Sequence, residues 1–344
     1  MSSSRTRIMI RKPGGYGAFD FDDTPIPDPG DREVQVAVRA CGINFADISV
    51  RMGLYAAARG MYPLCPGLEF SGEVRKTGRK AGDVAPGDRV FGAVRFGGCA
   101  TALNCPAEHI WPLPDAWDFN RGAAFAVAYI TAFHALYHVG HCRPGETVLV
   151  HSAAGGVGTA LLHLLRIAGN LSVGVVGASG KVAAAEKAGA AWVIDKSREP
   201  LWQRAEAIAP DGFDLILDAN GLSTLRESYR HLKPGGRLLV YGFASMFSRA
   251  GRKRPVKLVW DYLRTPRFNP FRMTGDNKTV SGFNLIYLFE NTDRFRSAMD
   301  ALLTWDAEGS LPPVPITPFP FKKVADAHRY MASGKSVGKL VLEV

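Results

Sequence analysis

The chain has 344 residues and a formal net charge of +10, and 47% of its residues are hydrophobic and 22% charged. This length exceeds one typical core and the composition is that of a globular protein, so we expect two folded domains and exclude a disordered chain. No apolar run approaches the about 20 residues of a membrane-spanning helix, and Met1 to Pro13 lacks an apolar signal-peptide core. The sequence therefore predicts a cytoplasmic protein.

The five cysteines are scattered and form no C-x-x-C pair. Such a set fits neither a disulfide framework nor a structural zinc cluster, and a reducing compartment is the simplest expectation. The positive net charge allows contact with phosphates, anionic lipid or nucleic acid, but it does not indicate which of these partners the protein binds.

The N-terminal part, from Ile8 to Tyr129, is rich in glycine, proline and short β-like runs. Three of these runs are Val34 to Ala40, Glu73 to Arg75 and Arg89 to Val94. This spacing predicts a mostly β domain of short, irregular strands.

After Asn120 the composition changes to Ala- and Leu-rich stretches that alternate with apolar runs. A helix is expected at Ala123 to Tyr137, and helical patterns separate most of the later strands. This alternation predicts a doubly wound parallel sheet. Its strands are expected at Val148 to His151, Ser172 to Val176, Trp192 to Asp195, Leu215 to Asp218 and Leu238 to Tyr241.

The stretch VLVHSAAGGVG, from Val148 to Gly158, reads as a strand, a tight turn and the start of a helix. Small residues keep such a turn tight, allow the backbone to approach a pyrophosphate, and bring helix and strand close together. The phosphates would lie at the helix N-terminus, where unpaired N–H groups favour negative charge. The predicted cofactor contacts are Ala153, Gly155, Gly156, Val157 and Gly158.

NADPH is the expected cofactor rather than NADH. An NAD site carries a carboxylate after the second strand, about 20 residues past the glycines, whereas no carboxylate occurs here before Glu186. Ser179 and Lys181 can instead meet a 2′-phosphate, and Lys196 can add a second charge. The alternative is that both lysines are ordinary solvated surface residues.

Further ligand contacts are expected where later strands of the parallel sheet end. Asn220 follows one strand, and Gly242, Phe243 and Ala244 follow the next. Ligands bind at the carboxyl edge of such sheets.

A basic and aromatic segment, from Ser245 to Lys278, interrupts the alternation. Its part from Arg249 to Arg272 has the composition of a surface that contacts anionic membrane. The alternative is a solvated dimer-edge or cleft-lid segment. The chain then continues with an apolar run at Val280 to Phe289, a helix at Asp293 to Ala307 and a strand at Lys339 to Val344.

Several strings in the chain together carry a family resemblance. They are CGINFADI at Cys41 to Ile48, RMGLY at Arg51 to Tyr55, PGLEFSGEV at Pro66 to Val74, GDRV at Gly87 to Val90, and GETVLVHSAAGGVG at Gly145 to Gly158. In this order they resemble the zinc-free quinone oxidoreductases of the medium-chain dehydrogenase/reductase superfamily. Two further strings, NKTVSGFNLIYL at Asn277 to Leu288 and VGKLVLEV at Val337 to Val344, are most similar to its vesicle amine transport protein-like branch.

The resemblance implies an α/β fold made of a GroES-like, mostly β domain and a Rossmann domain with a doubly wound parallel sheet. The first would comprise residues 1–125 and 311–344, and the second, which binds NADPH, residues 126–310. The implied reaction is hydride transfer to a quinone or α,β-unsaturated carbonyl by a homodimer without a nucleic-acid partner. The alternative is a membrane-surface or lipid-binding protein that keeps an NADPH site with little turnover.

The resemblance also identifies candidate catalytic residues and argues against a metal. Asn44 and Leu68 stand where zinc enzymes of the superfamily have Cys and His, and these two cannot build a tetrahedral zinc site. Asn44, Tyr55 and Thr131 match positions that line the active cleft of similar enzymes. The alternatives are that Asn44 caps a helix and that Tyr55 is a packed loop aromatic.

Overall fold

The structure is a computed structural model that describes residues 4–246, 260 and 263–344. Within these residues the strands are β1 (Ser4–Ile10), β2 (Phe19–Pro25), β3 (Glu33–Ile43), β4 (Glu69–Thr77), β5 (Arg89–Ala93), β6 (Ala102–Pro106), β7 (Ile110–Pro112), β8 (Thr147–His151), β9 (Leu171–Val176), β10 (Trp192–Asp195), β11 (Phe213–Asp218), β12 (Leu232–Val240), β13 (Thr279–Gly282), β14 (Ile316–Pro320) and β15 (Lys339–Glu343). The helices are α1 (Phe45–Arg51), α2 (Phe119–Phe133), α3 (Gly156–Ile167), α4 (Val182–Lys187), α5 (Leu201–Ile208), α6 (Leu225–Arg230), α7 (Pro270–Asp276), α8 (Thr292–Ala307) and α9 (Val324–Ala332).

The β domain is built around the long strand β3, which pairs with β4, β6 and the C-terminal strand β15. Its sheet runs in the order β14-β15-β3-β4-β5-β7, and β1 and β2 form a separate hairpin. The C-terminal strand β15 thus belongs to the same sheet as β3, β4, β5 and β7. The core includes the fully buried ring of Phe91, which packs on Trp117 and edge-on against Phe125.

The second sheet is parallel and has the strand order β10-β9-β8-β11-β12-β13. Helices α3 to α6 connect its first five strands, and the order reverses beside β8. Val148, Leu149 and Val150 of β8 are fully buried, as expected for a strand covered on both faces. The predicted doubly wound α/β fold is confirmed.

Some predicted elements differ from the observed ones. The apolar run at Val280 to Phe289 is not one element, because the strand β13 ends at Gly282 and a 3₁₀ turn, Leu285–Leu288, follows it. The predicted helix to Tyr137 ends as an α-helix at Phe133 and continues as a π-helical turn, His134–Val139. Apolar composition alone cannot distinguish these local geometries.

One helical segment, residues 119–139, is long and apolar enough to cross a membrane by length and composition, and 78% of its most apolar window is buried. The expectation that no run approaches this length was therefore wrong. The segment begins with α2, which packs against β3, β4 and β5 of the β domain and against α3 of the other domain. Its apolar surface is thus covered by both domains. The predicted division at residue 125 falls inside this helix and stays a prediction.

Much of the predicted basic segment lies outside the described residues, including Arg249, Arg252, Lys253, Arg254 and Lys257. Its described part contains the short helix α7, with Asn269 as N-cap and Asn277 in the left-handed conformation as C-cap.

A buried ion pair joins the C-terminal strand to the middle of the β domain. The Lys339 ammonium contacts the Glu69 carboxylate, and these residues are 3% and 0% exposed. The other carboxylate oxygen of Glu69 accepts the backbone N–H of Val127 in α2 at 2.9 Å. Gly42 lies against the pair, because a Cβ there would be 2.1 Å from the Ala123 carbonyl oxygen and 2.6 Å from Glu69. One carboxylate therefore holds β4, β15 and α2 together.

We expect Lys339→Met to lower the free energy of unfolding by about 3–5 kcal/mol, because Glu69 would remain buried without its cation. The matched control is Lys76→Met, whose exposed pair with Asp28 should be worth at most about 1 kcal/mol. Urea unfolding measures both. The double variant Lys339→Met with Glu69→Gln should cost less than the sum of the two single changes. Equal effects at Lys339 and Lys76, or additive single changes, would contradict this role.

Candidate functional site

The glycine-rich turn after β8 is held in a conformation that few side chains allow. Ser152 has a positive φ of 56°, and the Gly155 N–H donates to its carbonyl oxygen at 3.0 Å. A Cβ at Gly158 would lie 2.3 Å from that same oxygen, and one at Gly156 would lie 2.5 Å from Cδ of Lys339. A side chain at Gly158 would therefore collide with the backbone of the turn, and one at Gly156 would collide with Lys339 of the β domain. Val157, also predicted as a contact, is half-buried at the start of α3.

Ala153 fits the tightest point of the turn. It is fully buried, and its N–H donates to the Val175 carbonyl on the neighbouring strand at 3.1 Å. A Cβ at Gly174 would approach that of Ala153 to 3.0 Å. A larger residue at either position would separate β8 from β9, so Ala is accepted where a first glycine is commoner.

Asn220 lies beside this turn at the end of β11. Its Oδ1 accepts the Ser152 hydroxyl at 3.0 Å, and its backbone N–H donates to the buried carboxylate of Asp218 at 2.8 Å. Its Nδ2 is buried without a hydrogen-bond partner among the described residues. A buried unused donor costs free energy, so this amide is suited to a ligand oxygen at the turn.

The residues after β12 pack on the same edge of the sheet. The Ala244 N–H donates to the Ala219 carbonyl at 3.0 Å, and a Cβ at Gly242 would lie 2.8 Å from that oxygen. Phe243 is 45% exposed although large and apolar. The structure thus brings the predicted contacts of β11 and β12 together with the glycine turn.

The predicted phosphate contacts after β9 also lie together. The Ser179 hydroxyl donates to Asp195 at 2.6 Å and accepts from Nε of Arg198 at 3.1 Å. The pKa of Lys181 is lowered by burial and, to a smaller extent, by the nearby Lys196. Like charges held close together gain from an added anion. Three cations therefore surround this corner, and Arg198 was not expected from the sequence.

Asn44 is engaged by the buried ion pair. Its Nδ2 donates to Glu69 at 2.8 Å and its Oδ1 accepts from Nζ of Lys339 at 2.7 Å. Asn44 is also the N-cap residue of α1, where its backbone N–H donates to Asp47 at 2.8 Å. Burial raises the pKa of Asp47 to about 6. The helix-cap and active-cleft interpretations of Asn44 are thus compatible, because backbone and side chain have different partners.

Tyr55 and Thr131 have specific partners as well. The Tyr55 hydroxyl donates to Oδ1 of Asn284, which follows β13 in the other domain, at 2.8 Å. Burial raises the pKa of Tyr55 to about 12, so it stays protonated at neutral pH. The Thr131 hydroxyl donates to the Val127 carbonyl one turn earlier in α2, at 2.6 Å. The backbone N–H of the same Val127 donates to Glu69. The Tyr55 hydrogen bond therefore joins the two domains, whereas the Thr131 hydroxyl proton is donated inside its own helix.

Sequence reasoning missed several residues of this region: Glu69, Ser152, Arg198, Asn284 and Lys339. Glu69 and Lys339 fall inside the strings quoted for the family resemblance, and a charged residue in an otherwise apolar strand is a usable signal of a buried pair. The pairing itself joins residues 270 positions apart, and no local pattern indicates it.

The donor set around Asn44 does not suit zinc. Leu68 is 5% exposed and brings no ligand atom, while Lys339 places a cation beside Asn44 and Glu69. Across residues 4–246, 260 and 263–344, no group of three or more His, Cys, Asp or Glu side chains could hold a metal ion. His134 and His138 face each other at 3.2 Å between their Nδ1 atoms. An amide and an ammonium cannot replace thiolate and imidazole ligands.

The comparisons with known proteins cover nearly the whole chain. Residues 30–139 match the alcohol dehydrogenase GroES-like domain, and residues 188–342 match the zinc-binding dehydrogenase family. The synaptic vesicle membrane protein VAT-1 homolog of Mus musculus is 35% identical over 336 residues, which are 96% of this chain and 81% of that protein.

Two solved structures show the same fold. Human synaptic vesicle membrane protein VAT-1 homolog-like protein has a TM-score of 0.85 and 27% identity, with 100% of this chain and 99% of that one covered. Escherichia coli quinone oxidoreductase complexed with NADPH has a TM-score of 0.87 and 27% identity, with 98% and 100% covered. The chain therefore belongs to the medium-chain dehydrogenase/reductase superfamily of oxidoreductases, in the branch of the VAT-1 homologues.

Proposed function

We propose that this protein is a zinc-independent, NADPH-dependent oxidoreductase that transfers hydride to a quinone or an α,β-unsaturated carbonyl. The observation that carries the proposal is the placement of the glycine turn, where Gly156 lies against Lys339. That lysine in turn binds Asn44, so the nucleotide-binding edge of the sheet meets a polar cluster of the β domain. Similarity to a quinone oxidoreductase complexed with NADPH supports the choice of reaction and cofactor.

The chain's residues fit the cofactor. The N-terminus of α3 behind Gly155 would hold the pyrophosphate, with the unused amide of Asn220 beside it. Ser179 with Lys181, Lys196 and Arg198 would hold a 2′-phosphate, because charge-assisted hydrogen bonds are among the strongest in proteins. When bound, NADPH supplies the hydride.

The acceptor's carbonyl would be polarised by hydrogen-bond donors rather than by a metal, since the residues at Asn44 and Leu68 do not fit zinc. Asn44 uses one Nδ2 hydrogen on Glu69 and has a second to offer. Tyr55, whose one hydroxyl proton goes to Asn284, would orient the acceptor, and Thr131 would line the same cleft. We further propose a cytoplasmic homodimer, for which the edge strand β13 offers a side that no other described strand pairs with.

A second candidate function is binding at an anionic membrane surface. The described part of the basic segment exposes three large apolar side chains: Phe271 at 89%, Leu263 at 63% and Trp260 at 58%. Arginines lie among them, and Arg264 sits 5.5 Å from the centre of the Trp260 ring. Exposed aromatic residues mixed with cations are typical of interfacial anchors. Under this second candidate function, the protein would bind NADPH but catalyse little turnover.

For the cofactor we expect NADPH to bind more tightly than NADH. Lys181→Ala should weaken NADPH binding about tenfold or more and leave NADH unchanged, because the lost contact is to the 2′-phosphate. The matched control is Lys187→Ala, an exposed lysine at the end of the neighbouring helix. Isothermal titration of both cofactors into the wild type and the two variants measures all six affinities. Equal wild-type affinities for the two cofactors, or equal losses in both variants, would contradict the assignment.

For the reaction we expect NADPH oxidation with at least one acceptor from a panel of small quinones and enones. Tyr55→Phe should lower kcat/KM for that acceptor about tenfold to a hundredfold, because a hydroxyl in the cleft is lost. The control is Tyr62→Phe, whose hydroxyl donates to the Val50 carbonyl inside the β domain. If no acceptor is reduced while NADPH binds tightly, the reductase proposal fails and the membrane candidate gains weight.

For the membrane candidate we expect sedimentation with phosphatidylcholine vesicles that contain phosphatidylserine, weakening as salt is added. The double variant Phe271→Ser with Arg272→Gln should reduce the bound fraction several-fold. The control is Phe21→Ser with Arg11→Gln, an exposed aromatic and an exposed arginine near the N-terminal hairpin. Equal binding to vesicles with and without phosphatidylserine would remove this candidate.

A further inference from the structure

A separate cavity of about 120 Å³ lies in the β domain. It opens between the first strand β1, the loop after β5 and the strand β6. It shares no residue with the proposed cofactor or acceptor contacts. The residues that matter for its chemistry are Arg5, Arg7, Cys65, Phe96 and Asn104.

The wall of this cavity carries more positive charge than its surroundings neutralise. Arg7 pairs with Asp22 at 2.6 Å, whereas Arg5 forms no ion pair with any residue that the structure describes. Both arginines have a buried Nε without a hydrogen-bond partner in the described part of the chain. Burial lowers the pKa of Arg5, and the neighbouring Arg7 lowers it further, while Cys65 and Asp22 act in the opposite direction. Two arginines, one of them without an ion pair among the described residues, thus line one small space.

The other polar groups of the wall are already engaged. The Cys65 thiol donates to the Cys99 carbonyl at 3.4 Å. The Asn104 amide donates to the Pro27 carbonyl at 3.1 Å and accepts from Gln35 at 3.2 Å. No carboxylate is among the described residues that line the cavity. The unsatisfied chemistry is therefore cationic and donating, which suits an anion and disfavours a cation.

We propose that this cavity binds a small oxyanion, a phosphate or carboxylate group, between Arg5 and Arg7. Its volume equals that of about four water molecules in the liquid, which accommodates such a group. Guanidinium groups match oxyanions because their N–H donors form a fixed planar fork.

The anion has two possible sources, a free ion or an acidic group on the acceptor. Phe96 lines the cavity, and Phe96 and Tyr55 both pack against one buried apolar cluster. The second source, an acidic group on the acceptor, alone rests on the proposed function.

The test is isothermal titration of inorganic phosphate into the full-length protein at constant ionic strength, with chloride as the balancing anion. Wild type should show saturable binding, and Arg5→Gln should weaken it about tenfold or more. Arg11→Gln is the matched control, because this exposed arginine follows β1 and does not line the cavity. The titration is repeated with saturating NADPH, which fills the proposed 2′-phosphate site, and the phosphate binding that Arg5→Gln weakens should persist.

Absence of saturable binding, or an equal loss in Arg5→Gln and Arg11→Gln, would overturn the proposal. If Arg5→Gln does not fold, Arg5→Lys keeps the charge but loses the fork, and it should still weaken phosphate binding; unchanged binding would overturn the proposal. A sulfonated quinone and its unsulfonated parent distinguish the sources. If phosphate displaces only the sulfonated compound, the site takes an acidic acceptor group, and if it displaces neither, the site takes a free anion.

Discussion

The buried ion pair between Glu69 and Lys339 is the contact on which the rest of the molecule depends. Two charges removed from water are tolerated only when both are paired and their remaining hydrogen-bonding capacity is used. Glu69 accepts from Lys339, Asn44 and the backbone of α2, and Lys339 donates to Glu69 and Asn44. The pair fixes the C-terminal strand and the helix between the domains, and it places Lys339 against the glycine turn. Stability and site geometry therefore share one interaction.

The same arrangement does not suit a zinc ion at that place. A zinc ion would supply positive charge next to a buried carboxylate, and here an ammonium group already supplies it. The amide of Asn44 is oriented by both partners and keeps a donor for a ligand. Across the cleft, the hydrogen bond from Tyr55 to Asn284 joins the domains a second time. Of these two residues, Asn44 thus keeps a neutral donor, and the buried charge pair holds it in place.

Local pattern was sufficient for the regular elements of the fold. Strands β8, β9, β10 and β11 lie where alternation and apolar runs predict them, since each is a short buried segment bounded by turn residues. The pattern failed where one composition is compatible with several geometries, as in the apolar segment that contains β13 and a 3₁₀ turn. It failed again at residues 119–139, whose apolar surface faces protein on two sides.

For the candidate site, the sequence by itself determined the glycine turn, the absent carboxylate after the second strand and the strand ends where ligands bind. These are local features, because tight turns and helix N-termini depend on residues only a few positions apart. Only the tertiary structure decided that Lys339 pairs with Glu69, that Arg198 joins Ser179, and that Asn284 holds Tyr55. These contacts join separate elements of the chain and depend on which strands and loops become neighbours. The geometry of the folded sheets determines those neighbours, and no local sequence pattern indicates them.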